Sequence, residues 1–345
     1  MILCDPMIVR KKAYARVGLI GNPSDGYYGK TISFAIKNFF AQVVLYESPE
    51  LKILPYIRDR SNYPGIHALV DDVKMYGYYG GIRLLKATIK RFYEYCVQHN
   101  IELKPDNFTI RYHSNIPHMV GLAGSSAIVT ACLRALMEFY GVSIPKVEQP
   151  QLILSVERDE LGISAGLQDR VIQVYQGLVY MDFDRAYMEK FGHGKYEEMN
   201  PDLLPPLYVA YRTDFAEGSE IFHNNIKERF LHGDPEILKA IEVWKQLTDE
   251  VRSLLLKGEG RKIGPLLNKN FDWRARIYKI SEGNLRMVEV ARSTGASAKF
   301  TGSGGAIVGT YEDEEMYKRL EEKLGAMNIK VFKPEIAPPT GDNMQ

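Results

Sequence analysis

The residues best equipped for chemistry lie in one run, Pro117-His118-Met119-Val120-Gly121-Leu122-Ala123-Gly124-Ser125-Ser126-Ala127. Glycine at 121 and 124 lets the backbone approach a ligand closely. A strongly apolar helix follows at once, Gly124 to Tyr140, with Gly141 suited to end it. The first turn of such a helix presents free N–H groups and the positive end of a dipole, which suits a polyphosphate. Ser125 and Ser126 add hydroxyls that can bond phosphate oxygens or reach a metal. Gly-Ser-Ser by itself reads equally as a serine-capped helix after a tight turn. The run is neither a Walker loop, which needs Gly-Lys-Ser/Thr, nor a dinucleotide fingerprint.

Carboxylates follow in Glu157-Arg158-Asp159-Glu160 and in Gly166-Leu167-Gln168-Asp169-Arg170. Magnesium is a hard ion that takes one or two carboxylates together with phosphate oxygens and water. An aspartate beside a substrate hydroxyl can accept its proton during phosphoryl transfer. Asp159 and Glu160 read as a solvated helix face.

The elements that must position these groups are readable in outline. Tyr14 to Ile20 predicts a strand, broken by the turn-forming Gly21-Asn22-Pro23-Ser24-Asp25-Gly26. Ile32 to Ile36 and Phe39 to Tyr46 predict a hairpin-like pair. Gly80 to Cys96 carries a helical apolar stripe, Phe108 to Tyr112 alternates as a strand, Gln151 to Leu161 reads as a helix and Gly177 to Asp182 as a short strand. Prolines at 201, 205 and 206 interrupt both kinds of element, so the division falls near there, into domains 1–204 and 205–345. The second part predicts a strand at Leu207 to Tyr211 and helices at Pro235 to Leu256 and Asn284 to Ser293. After these come a glycine loop at Gly302 to Gly305, a strand at Ala306 to Thr310, a charged helix at Glu314 to Leu324 and a strand at Lys330 to Phe332. The tail beyond Pro338 reads as loose. Strands mixed with helices indicate an α+β class.

Composition narrows the partners. A net charge of +1 over 345 residues gives no reason to expect nucleic acid or an anionic membrane. No apolar run is long enough to span a bilayer, and the start, Met1 to Lys12, lacks the pattern of a signal peptide. Cys4, Cys96 and Cys132 are odd in number and far apart, fitting neither a disulfide framework nor a zinc site, so a cytoplasmic setting is expected. The oligomeric state stays open.

Three motifs in order carry a resemblance. Pro-x3-Gly-Leu-x-Gly-Ser-Ser-Ala resembles the phosphate-binding motif of the galactokinase, homoserine kinase, mevalonate kinase and phosphomevalonate kinase superfamily, the GHMP kinases. Upstream, Arg16-Val17-Gly18-Leu19-Ile20-Gly21-Asn22-Pro23-Ser24-Asp25 is similar to the galactokinase signature Arg-Val-Asn-Leu-Ile-Gly-Glu-His-x-Asp. Downstream, Lys299-Phe300-Thr301-Gly302-Ser303-Gly304-Gly305-Ala306 is similar to the superfamily's third motif, a loop that closes over substrate and phosphates. The resemblance implies a two-domain fold: an N-terminal ribosomal-protein-like α+β domain with a left-handed β-α-β unit, and a ferredoxin-like C-terminal domain. It implies a kinase using ATP and Mg2+. Pro117, Gly121, Leu122, Ala123, Gly124, Ser125, Ser126, Ala127, Gly302, Ser303 and Gly304 become the expected nucleotide contacts, with Ser125 donating to phosphate. Ser126 and Glu157 are implied to hold magnesium. Asp169 is implied as the catalytic aspartate, with Arg16 beside it stabilising charge on the transferring group. Asp25 is implied to bond sugar hydroxyls, with Gly305 also near the substrate.

Within the superfamily, details resemble the glucuronokinases. They are Ile20 to Asp25, Gly77-Tyr78-Tyr79-Gly80-Gly81-Ile82-Arg83-Leu84-Leu85, Gly121 to Val129, Ala165 to Val171 and Ala298 to Gly305. The implied reaction phosphorylates D-glucuronate at its anomeric hydroxyl. Asn22-Pro23 stand where galactokinases carry Glu-His, which contact galactose in that family. Recognition of a sugar acid needs a cation, best an arginine fork. Of Arg16, Lys30, Arg83 and Arg170, the order of expectation is Arg170 first and Arg83 second, with Tyr27 and Tyr28 as helpers. Tyr78 and Tyr79 read equally as adenine-pocket lining or as packing. Sibling kinases acting on galacturonate, galactose, a heptose phosphate or mevalonate remain alternatives, as does a sugar-binding member without catalysis. The presence of Asp169, Glu157, Ser125 and Ser126 argues against the last.

Overall fold

Residues Ile8 to Ile20 form strand β1, whose side chains alternate at first and are all buried from Ala15 onward. Burial on both faces marks β1 as central and carries Arg16 inside. The structure, a computed structural model, describes residues 7–56, 59, 63–76, 80–213 and 223–341; Cys4, Tyr78 and Tyr79 lie outside them. Strand β2 (Lys30–Glu47) runs antiparallel to β1 as one continuous strand. The expected hairpin is replaced by a bulge: Tyr14 faces Phe40 while Ala15 faces Ile36, so Lys37 to Phe39 are extra residues on β2. Lys37 and Asn38, the residues between the two expected strands, sit in that bulge.

Strand β3 (Lys52–Ile53) is followed by helices α1 (Ile66–Tyr76) and α2 (Gly81–Gln98), then β4 (Phe108–Ser114), which runs parallel to β3. Helix α3 (Gly124–Tyr140) packs on β1 and β2. Its C-terminus at Gly141 adopts φ 67°, a value that glycine takes without strain. Helix α4 (Gln149–Ser155) runs into a single π-helical turn, Val156–Glu160, and α5 (Gln168–Tyr175) follows. Strand β5 (Leu178–Asp182), helix α6 (Arg185–Phe191) and strand β6 (Lys195–Met199) complete the first unit. Its sheet has the order β3-β4-β2-β5-β6, with β1 paired to β2.

The chain passes to a second sheet between Met199 and Leu207. After β7 (Leu207–Arg212) come helices α7 (His223–Leu231), α8 (Pro235–Leu256), α9 (Gly264–Ile277) and α10 (Glu282–Arg292). Strands β8 (Lys299–Phe300) and β9 (Ala306–Thr310), helix α11 (Glu314–Gly325) and strand β10 (Ile329–Phe332) follow. The four strands are antiparallel in the order β10-β7-β9-β8, the ferredoxin-like arrangement. Met287, Val288, Phe300, Leu320 and Leu324 form a core of their own under this sheet.

Helices α8 and α9 join the two units. Trp244, Leu247, Val251 and Leu255 of α8 bury into the same core as β1 and β2, and α9 touches both β1 and β8. The tail is not loose as far as Thr340. Ala337 bonds Ala35 and Gly177 through its backbone (2.8 and 3.1 Å), and Thr340 donates to Val174 and Tyr175. No helix among the described residues is long and apolar enough to cross a membrane.

Candidate active site

The end of β1, the loop before α3, the π-turn after α4 and the start of α5 converge with the Gly302–Gly305 loop. Arg16 is 4% exposed and sits among them. Its Nε donates to Asp169 Oδ1 at 2.7 Å, and Nη1 donates to the carbonyls of Gly121 (3.0 Å) and Thr301 (2.5 Å). One side chain therefore ties the catalytic-candidate aspartate to both glycine loops. Asp169 lies in the first turn of α5, and its other oxygen is 3.4 Å from Arg170 Nη1.

The loop before α3 is shaped by backbone that coils left-handed at Met119, Gly121 and Ala123 (φ 56°, 70° and 62°). Ala123 occupies the N-cap position, and no side chain caps the helix. The amides of the first turn therefore stay available to an anion. The third-motif loop lies directly against this one. A Cβ at Gly302 would stand 2.5 Å from the carbonyl oxygen of Gly121 and 2.8 Å from Arg16 Nη1, which only glycine permits. Gly304 (φ 145°) and Gly305 (φ 79°) complete the turn, and Asn284 Oδ1 accepts from the Gly305 amide at 3.0 Å.

Glu157 lies on the π-turn and is fully buried; such turns recur at functional sites. Its Oε1 accepts from Ser125 Oγ at 2.7 Å. Its Oε2 accepts from both Nε (2.8 Å) and Nη2 of Arg170. Two expectations change here. Ser126, not Ser125, is turned away: it is 1% exposed and donates to the Ala123 carbonyl at 3.3 Å. Ser125 is the serine that faces Glu157, because helical geometry sends neighbouring side chains in different directions. Arg170 is committed to Glu157, to the Gly166 carbonyl (2.8 Å) and to Asp169, so its guanidinium is not presented to a sugar carboxylate.

As for magnesium, the described residues hold no group of three acidic, histidine or cysteine side chains able to bind a metal by themselves. What they hold is one carboxylate oxygen and one hydroxyl oxygen 2.7 Å apart at a helix N-terminus. That set fits a hard ion whose remaining ligands come from phosphates and water.

Asp25 sits in the short 3-10 turn Ser24–Tyr27, where its Oδ2 accepts from the Gln168 amide at 3.3 Å. A Cβ at Gly166 would collide with its carboxylate. Burial, and secondarily the charge of Asp169, push its pKa up to about 6. Tyr28 (φ 57°) is half-buried and lies against Phe230 and Arg185. Tyr27 is the buried member of the pair, and it interacts with Tyr278. Arg83 lies in the first turn of α2, a helix that packs on α3 and on the π-turn.

Several residues here escaped the sequence reading. Asn22 is no substrate contact candidate: it is 2% exposed and accepts from Lys299 Nζ at 2.5 Å, while Asn270 Nδ2 donates to its carbonyl. Lys299, fully buried, also donates to the Gly18 and Phe300 carbonyls (both 2.8 Å). Arg274 of α9 donates to the Gly302 and Ser303 carbonyls (2.6 and 3.0 Å). Asn270 and Arg274 sit in a helix whose weak apolar stripe left it unassigned.

Comparison with known proteins agrees with this geometry. Residues 83–177 match the family model described as the GHMP kinases N terminal domain. The chain is 43% identical over 337 residues to Glucuronokinase 1 of Arabidopsis thaliana, covering 96% of this chain and 92% of that protein. It is 44% identical to Probable glucuronokinase 2 of the same plant, with 97% and 93% covered. The chain belongs to the GHMP kinases, in the glucuronokinase family. The fold is also that of the crystal structure of Methanococcus jannaschii mevalonate kinase, with TM-score 0.69, 20% identity, and 97% and 100% of the two chains covered.

Proposed function

We propose that this protein transfers the γ-phosphoryl group of ATP to the anomeric hydroxyl of D-glucuronate, giving glucuronate 1-phosphate. The observation that carries the reading is the Arg16–Asp169 pair held between the two glycine loops, in a chain 43% identical to a glucuronokinase. Asp169 accepts the proton of the attacking hydroxyl, a role for which its place at the open end of α5 suits it. Arg16 fixes the orientation of Asp169 and places positive charge where negative charge develops. The uncapped first turn of α3 and the glycine loops supply amides to the phosphates. With all of its loop carbonyls from Thr301 to Ser303 bonded to Arg16 or Arg274, the third-motif loop turns its amides to the ligand side. Glu157 and Ser125 would hold Mg2+, which when bound neutralises phosphate charge. Asp25 orients the sugar through its hydroxyls.

The test is ATP consumption across D-glucuronate, D-galacturonate, galactose, glucose, a heptose phosphate and mevalonate. The highest kcat/KM is expected for D-glucuronate; a higher value for any other acceptor overturns the assignment.

A further inference from the structure

Among the described residues, the Arg274 guanidinium is buried at the site with no ion pair to a carboxylate. Arg16 pairs with Asp169, Arg170 with Glu157 and Asp169, and Lys30 with Asp249 and Asp182. Arg274 is 3% exposed, and among the described residues no carboxylate forms an ion pair with it. Its two hydrogen bonds go to neutral carbonyls, those of Gly302 and Ser303, and its Nε is buried with no hydrogen-bond partner. The guanidinium also lies 5.1 Å from the Tyr278 ring and 5.1 Å from the Phe300 ring. A buried charge that lacks a counter-charge is costly unless a ligand supplies one.

We propose that Arg274 binds the C6 carboxylate of the sugar acid and so sets the preference for an acid over a neutral sugar. This deepens the reading above and rests on it. Three features place the guanidinium on the sugar side of the site. It lies over the ring of Tyr278, which meets Tyr27 of the turn that carries Asp25, and it bonds the carbonyl of Gly302, the glycine packed against Arg16. Burial lowers its pKa, the mark of a charge that its surroundings do not fully compensate. Of the five N–H donors of an arginine, two are engaged, which leaves Nε–H and part of the fork for a carboxylate. Because the same guanidinium holds the third-motif loop by two carbonyls, an acid bound there is coupled to the loop that covers the phosphates.

D-Glucuronate and its neutral C6 amide, D-glucuronamide, form the discriminating pair of substrates, with kcat/KM measured for each at saturating ATP. The wild type is expected to favour the acid by about ten- to a hundred-fold, the range of one charge-assisted contact. Arg274→Gln is expected to bring the ratio near one; it also releases the Gly302 and Ser303 carbonyls, so the acid-to-amide ratio is the deciding readout and a change in the KM for ATP is not. Arg274→Lys keeps the charge without the fork and is expected to give an intermediate ratio. It also carries the test if Arg274→Gln does not fold. An unchanged acid-to-amide ratio in the folded variants, or a ratio held while the ATP KM rises, assigns Arg274 to the loop or the phosphates and overturns the proposal alone. A wild type that shows no preference for the acid overturns the glucuronate assignment and this inference together.

Discussion

At the residue scale, the site is a set of charges whose directions matter more than their identities. The convergence of Arg16, Asp169 and Glu157 was foreseeable, because each belongs to an ordered motif of fixed spacing. Which neighbour faces inward was not, since adjacent side chains diverge: Ser125 rather than Ser126 meets Glu157, and Tyr27 rather than Tyr28 is buried near Asp25. Asp169→Asn keeps the shape and cannot accept a proton. It is expected to lower kcat by about 10²–10⁴-fold with ATP binding retained by calorimetry; near-normal turnover contradicts the role. Ser125→Ala should raise the magnesium concentration needed for half-maximal rate, while Ser126→Ala should move it less; the reverse order would restore Ser126 as the ligand. Glu157→Gln is a poorer probe, because it also removes the nearer of the two carboxylates that pair with the buried Arg170 and so disturbs the fold as well as the metal. Asp25 supplies a pH test. Its folded pKa, about 6, lies above the ordinary 3.8, so its protonated form favours the folded state. That stability is present below pH ~4 and is lost as pH rises to about 6, by up to about 3 kcal/mol. Urea melts from pH 4 to 7 should show wild type losing stability relative to Asp25→Asn across that window and no further above it. Parallel profiles would contradict the account.

At the element scale, the strongly patterned pieces read directly. Helix α3 begins and ends where its glycines and apolar run indicate, and α8 does likewise. The misread pieces have physical reasons. Lys37 and Asn38 lie between the two expected strands and serve as a bulge, because β1 continues to pair on both sides of them. The helix expected from Gln151 to Leu161 changes to a π-turn at Val156, which local spacing does not reveal. Helix α9 has a weak stripe because it packs on two units at once and carries buried polar groups, Asn270 and Arg274. The third-motif loop offers the element-scale test. Gly304 sits at φ 145°, where a β-branched residue is strained. Gly304→Val is expected to remove most activity, with a thermal midpoint that stays within a few degrees of wild type because the turn lies outside both cores. A fully active variant would show that the loop geometry is not needed.

At the scale of the whole molecule, the site exists because two units are held in one arrangement. Lys299 from β8 reaches the Gly18 carbonyl and Asn22 at the end of β1. Thr248 of α8 donates to the Lys30 carbonyl, and the chain's end returns to β2 at Ala35. The second sheet opens at Leu207, directly after the proline-rich break that the sequence shows. The ties across that break were not legible, since a buried lysine bonded to carbonyls leaves no periodic trace in sequence. Together these ties set the third-motif loop against the first, with Arg16 bonded to both and to Asp169. Phosphorylation of the anomeric oxygen of glucuronate is the outcome proposed for this assembly. The most direct measurement is phosphorus and proton NMR of the product formed from ATP and D-glucuronate. The account predicts one sugar phosphate per ATP consumed, with its phosphorus coupled to the anomeric proton. Phosphorus coupled to any other ring proton, or ATP consumed without a sugar phosphate, would contradict it.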